Sequence, residues 1–124
     1  MDTIQKLEAR DQKYSWPYQR LAELLMAESE DEPSIELALQ YAMRAVNVDD
    51  TNDLNHATLA KVLEKRNDLT GALRHRKEAA RLNPAEPSTH YVLSRLYQRM
   101  GDAAKAKAEL DIHKRLRQAY GSKR

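Results

Sequence analysis

The chain has 124 residues, a single domain's length, of which 41% are hydrophobic and 32% charged, with a net charge of +2. It contains no Cys, which excludes disulfides, thiol catalysis and Cys-based zinc sites within it. No run approaches the ~18 apolar residues of a membrane span, and three Gly, four Pro and no Phe beside abundant Ala, Leu, Glu, Lys and Arg indicate an all-α protein.

The first stretch, MDTIQKLEARDQKY, has no apolar core flanked by a cleavage site, so no signal peptide is expected and the cytoplasm is the expected compartment. Residues 2–14 read as a short capping helix or arm. Asp2 with Gln5 resembles a capping box, and Ile4, Leu7 and Tyr14 fall roughly on one face. Ser15-Trp16-Pro17 then starts a helix, with Ser as cap and Pro in the first turn, where its missing N–H costs nothing. Its stripe is Tyr18, Leu21, Ala22 and Leu25, and it runs to about Ala27. An acidic loop comes next at 28–33. Ser34 is expected to cap the second helix, whose inward residues are Leu37, Ala38, Tyr41, Ala42 and Ala45 and which ends near Val48.

Further along, helices of about 53–66 and 69–82 join at Asn67-Asp68, since Asn tolerates left-handed dihedrals and Asp caps the helix after it. Asn83-Pro84 stops the second of them. Helices of about 87–100 and 103–119 are broken by Gly101, with Asp102 as cap. Residues 121–124 are a basic tail expected to fray.

Two blocks of equal length, 53–86 and 87–120, share one pattern. His56, Leu59, Ala60 and Leu63 fall over His90, Leu93, Ser94 and Tyr97, while Ala72 falls over Ala106 and Leu82 over Leu116. Tyr18, Leu21, Ala22 and Leu25 have the same spacing, so 15–52 is an earlier copy made longer by its acidic loop. A fixed period of this kind means stacked helical hairpins, none of which can bury its apolar face alone.

These residues resemble the tetratricopeptide repeat (TPR) family, whose pattern is W-x2-L-G-x2-Y, then A-x3-F, then Pro. The second part is Ala38/Ala42, Ala72/Arg76 and Ala106/Leu110, and the closing Pro is matched only by Pro84, with Asp50 and Gln118 in the other copies. The resemblance implies an α–α superhelix: a right-handed solenoid of three hairpins (15–52, 53–86 and 87–120) preceded by the N-terminal helix. Tyr or His replaces the family's Trp. Arg76 stands at a large apolar position, so its stem is expected to pack while its head reaches water. His113 occupies a position normally held by Ala.

In such a stack the first helix of each pair lines a concave groove. Helical spacing makes Trp16, Gln19, Glu23 and Met26 the candidates from the first copy, Leu54, Ala57, Lys61 and Lys65 from the second, and Ser88, Tyr91, Arg95 and Gln98 from the third. Tyr91 is the leading candidate anchor. With Lys61 and Arg95 nearby, the groove suits an extended or helical peptide segment carrying carboxylates. Positions that fail to repeat, Ala57 against Tyr91 and Thr58 against Val92, are where specificity is expected. One branch of the family grips the C-terminal carboxylate of heat-shock chaperones with a Lys/Asn/Asn/Lys/Arg clamp. The matching positions here hold Gln19, Glu23, Thr58, Ser88 and Val92, and none fits.

His56 and His90 read as core histidines with satisfied nitrogens, and His75 and His113 lack the i+4 partner of a zinc pair. No nucleophile turn, phosphate loop or paired-carboxylate cleft is present. The expectation is therefore a non-enzymatic module with no cofactor, no metal and no catalytic residue, whose partner is a protein or peptide. Basic residues at Arg74, Arg76, Lys77 and Arg81 interleave with Glu78 and read as a solvated face, so neither nucleic acid nor a membrane is the expected partner.

Charge suggests a second reading. Residues 1–52 carry 5 basic and 11 acidic side chains, net −6, and residues 53–124 carry 16 basic and 8 acidic, net +8. Opposite halves of different copies could meet in a homo-oligomer, through the C-terminal helix that no further capping helix follows. A regulatory repeat segment of a larger protein is the third reading.

Overall fold

Turn and cap chemistry sets the helix boundaries. The computed structural model describes residues 14–122, which form α1 (Trp16–Glu28), α2 (Glu32–Val48), α3 (Asp53–Lys65), α4 (Leu69–Leu82), α5 (Pro87–Arg99) and α6 (Ala103–Ser122). Of the helix expected over residues 2–14, residues 2–13 lie outside the described residues, and Tyr14 is not helical. Asn52 caps α3 by accepting from the backbone N–H of Leu54 and Asn55, and Asp68 caps α4 by accepting from Gly71. Such caps are each worth ~1 kcal/mol. Asn67 and Gly101 take the left-handed conformation, at φ 64° and 84°, that turns each chain back into a hairpin.

Two caps differ from expectation, and a third was not foreseen. Ser15 has helical dihedrals and makes no side-chain cap bond; its carbonyl accepts from Gln19 instead, at 3.1 Å. The cap of α2 is Asp31, which accepts from the Ser34 N–H at 2.9 Å, so the helix starts at Glu32 and the acidic loop is shorter than 28–33. Pro33 fits the first turn of that earlier start, where no N–H is needed. Glu86 caps α5, with Pro87 at its first turn. At the other end α6 continues to Ser122, past the expected stop at 119.

The helices pair as α1/α2, α3/α4 and α5/α6, and each second helix packs on the next first helix. Close approach is possible because Ala22, Ala38, Ala60 and Ala72 have no exposed surface and Ser94 and Ala106 almost none. One cluster joins the first two hairpins: Tyr18, Ala22, Met26, Ala38, Tyr41, Ala42, Ala45, Leu59 and Val62. A smaller one joins the second to the third, where Leu96 sits on Ala60 and Ala72 with Leu63, Leu69 and Leu73 around it. Val62 and Leu96 are one period apart and play the same part, each a knob from a first helix seated in the hairpin before it.

Arg76 departs from expectation. Its guanidinium is buried, and its Nε and Nη2 donate to Glu64 Oε2 at 3.1 and 3.0 Å. Two donors onto one carboxylate oxygen of α3 keep the head inside, where stem-only burial would have left it in water.

Candidate functional site

The first helices α1 and α3 lie side by side, and a polar relay joins them. Gln19 Nε2 donates to Thr58 Oγ1 at 2.9 Å, Thr58 donates to Glu23 Oε1 at 3.0 Å, and Lys61 Nζ donates to the same oxygen at 3.1 Å. Beside the relay runs a cleft of about 430 Å³ lined by Glu23, Met26, Ala27, Lys61, Glu64 and Lys65. Trp16 and Leu54 start α1 and α3, are 65% and 50% exposed, and place apolar surface on the same two helices.

The expected groove residues therefore divide. Glu23, Lys61 and Lys65 come together around one cleft, with Met26 in its wall. Gln19 is buried and its amide is committed to Thr58, so it supports the surface and does not present itself to a partner. Thr58 is wholly buried, which removes it as a specificity position. Ser88 is exposed but folds back onto Glu86 Oε1 at 2.9 Å. Ala57 is half-buried, and Arg95 and Gln98 are exposed along α5.

Tyr91 points elsewhere. Its ring packs on His113 of α6 with centroids 5.3 Å apart, beside a second cleft of about 420 Å³ lined by Leu110, His113, Lys114, Arg117 and Gln118. It belongs to the open side of the last hairpin. His113 Nδ1 is fixed there by the Pro87 carbonyl at 2.8 Å.

The electrostatics of the first cleft are largely self-compensated. Lys61 pairs with Glu23 and Lys65 with Glu30, at 3.1 and 2.8 Å, and Arg99 lies 4.0 Å from Glu64. The Lys65 ammonium, by hydrogen bond and then by charge, holds the Glu30 carboxyl below its ordinary range. A ligand carboxylate reaching Lys61 or Lys65 must replace a carboxylate already there. This is a more mixed surface than the sequence implied.

The histidines form two stations that sequence reasoning only half resolved. His56 and His90 are buried, as expected. Their partners were missed: His56 Nδ1 lies 3.0 Å from His75 Nδ1, and His90 Nδ1 lies 2.8 Å from Glu109 Oε1. The signal was available, because His75 and Glu109 stand equally far along the chain from their histidines, one period apart. Burial first, then the His56 and Arg74 charges, lower the His75 pKa, opposed by Glu78. Among the described residues no group of three or more His, Cys, Asp or Glu is arranged to hold a metal, and no helix is long and apolar enough to cross a membrane.

Consecutive antiparallel helix pairs, each seated by one knob on the last, define a helical-repeat solenoid. Known structures place the chain within that class. It overlays a crystal structure of MamA with a TM-score of 0.84 at 12% identity, over 98% of this chain and 68% of that one. It is similar to TTC0263, a TPR protein of Thermus thermophilus, with a TM-score of 0.72 at 25% identity, over 94% of this chain and 69% of that one. It also matches the second TPR of Spaghetti (RPAP3), solved with the HSP90 peptide SRMEEVD, with a TM-score of 0.75 at 16% identity, over 86% and 95%. No family model and no curated relative matches the sequence. The chain thus has the TPR-like all-α superhelical fold.

Proposed function

We propose that the chain is a protein-interaction module that docks a peptide segment along its first helices, without chemistry of its own. The observation that carries this is the cleft between α1 and α3. It places Met26 and Ala27 beside the Lys61 and Lys65 ammonium groups, with Trp16 and Leu54 exposed on the same helices. Apolar surface next to cations suits an amphipathic segment bearing carboxylates. Such a segment would take Lys61 from Glu23 in a near-even exchange of ion pairs, so its apolar anchors would supply most of the affinity. Arg95 adds an exposed cation on α5, the next first helix. One structural neighbour was solved with an acidic peptide, which supports the mode of binding. The clamp positions of this chain do not match that family branch, so the proposed segment is bound without a terminal-carboxylate clamp.

Trp16 is the single Trp of the chain, which makes its fluorescence a direct reporter of docking. Titration with a library of acidic amphipathic peptides should yield ligands that shift its emission. Lys61→Glu with Arg95→Glu should weaken them at least tenfold, about 1.4 kcal/mol, with helicity unchanged. Equal affinity in the doubly reversed variant would sink the reading.

A further inference from the structure

Each first helix of a hairpin after the first offers the same knob. In α3, Thr58 and Val62 are wholly buried against the first hairpin. In α5, Leu96 is 1% exposed and seated among Ala60, Ala72, Leu63, Leu69 and Leu73 of the second. With Tyr18 set over His56, the α1 positions that match Thr58 and Val62 are Arg20 and Leu24. Both are exposed, Leu24 to 45%. The repeat thus has a junction surface on α1 that nothing among the described residues covers.

The complementary surface is at the other end. One period on from Ala60, Leu63, Ala72 and Leu73 stand Ser94, Tyr97, Ala106 and Lys107. Ser94, Tyr97 and Ala106 carry the same small-and-large pattern but are closed within the third hairpin itself, and Lys107 is the exposed member of the set. Next to them lies the 420 Å³ cleft of Tyr91, Leu110 and His113. In the second hairpin the equivalents of Leu110 and His113, Arg76 and Ala79, are buried. In the third, Leu110 and His113 are half-open and Tyr91 is 42% exposed.

We propose that the outer face of α1 in one copy seats on the open α5–α6 face of a second copy, with Leu24 as the knob, continuing the solenoid head to tail. Charge selects this pairing. Residues 15–52 carry 8 acidic and 2 basic side chains, net −6, and residues 87–120 carry 3 acidic and 7 basic, net +4. A head-to-tail junction brings opposite signs together, whereas head-to-head and tail-to-tail junctions bring like signs together. The interface is heterologous, so it generates open chains of copies unless the superhelical rotation closes a ring. It is separate from the α1–α3 cleft, and it stands or falls independently of peptide binding there.

The absence of Cys makes a clean test available. Single variants Leu24→Cys and Lys107→Cys, both on exposed side chains, are mixed at low salt under mild oxidation. The mixed disulfide should outweigh either homodimer severalfold, and this excess should fall as salt rises. Sedimentation of the unaltered protein should show mass increasing with concentration. Leu24→Asp should shift that association at least tenfold to higher concentration while circular dichroism stays unchanged. A monomer at every concentration up to about millimolar at low salt overturns the proposal, as does a Leu24–Leu24 homodimer equal in yield to the mixed product.

Discussion

The second and third hairpins share one backbone plan and differ in what they bury. His56 Nε2 donates to the Asp50 carbonyl at 2.7 Å, and His90 Nε2 donates to the Pro84 carbonyl at 3.1 Å, one period later. The carbonyl is supplied by the loop and repeats with it. The partner on the other nitrogen does not. In the second hairpin it is His75: with the His56 proton on Nε2, the neutral ring's Nδ1 accepts and the His75 Nδ1 donates to it. In the third it is the Glu109 carboxylate, so both nitrogens of His90 face acceptors. A second contrast sits beside the first. Arg76 and Glu64 form a buried ion pair in the second hairpin, where Leu110 and Gln98 stand in the third. A repeat fixes geometry through its small residues and turns, and it leaves polar chemistry free to vary at fixed stations.

Rewriting one hairpin into the other tests this directly. The largest effect is expected from Arg76→Ala, which leaves Glu64 largely buried without its main partner and should cost about 3 kcal/mol in urea unfolding. Glu64→Gln with Arg76→Leu installs the third hairpin's pair and should fall within ~1 kcal/mol of the parent or be more stable. A single variant costing no more than the double would show that the ion pair carries no weight. Acid should come next. His75 has a folded pKa below its ordinary 6.5, so the unfolded chain takes up the proton first. Its contribution to stability is therefore full above about pH 6.5 and is lost as pH falls below that value. Tm should drop by a few degrees between about pH 7.5 and 5.5, and His75→Glu, which copies the Glu109 station, should flatten that drop. An unchanged pH profile in His75→Glu would mean that the acid response lies elsewhere. The smallest effect is expected from Lys107→Ala, whose exposed pair with Asp111 at 3.4 Å is worth no more than ~0.5 kcal/mol by thermal unfolding.

Much of the fold was legible because repetition averages out local ambiguity. The helices over 69–82 and the turns at Asn67 and Gly101 follow from residues that permit positive φ next to a capping Asp. The start of α2 was misplaced, since Ser34 and Asp31 are both good caps and only backbone geometry decides between them. Asn55, whose amide donates to the Ala45 and Asp49 carbonyls at 3.2 and 3.0 Å, gave no sequence signal as the stitch between the first two hairpins. The candidate site was legible in part. Helical spacing put Glu23, Lys61 and Lys65 on one cleft. It could not show that Gln19 donates to Thr58 and Thr58 in turn to Glu23, or that Tyr91 leans onto α6.

The sequence by itself determined the period, the hairpins and the alanine contacts, because these depend on interactions within one or two turns and recur at fixed spacing. Only the tertiary structure decided how the polar residues are spent. Lys61 is neutralised by Glu23 from the neighbouring hairpin, Arg76 is drawn inward by Glu64, and His56 meets His75 while His90 meets Glu109. Those pairings depend on distances of a few ångströms between side chains on different helices; spacing along the chain marks at most the equivalent stations, as for His75 and Glu109, and not which side chains meet there.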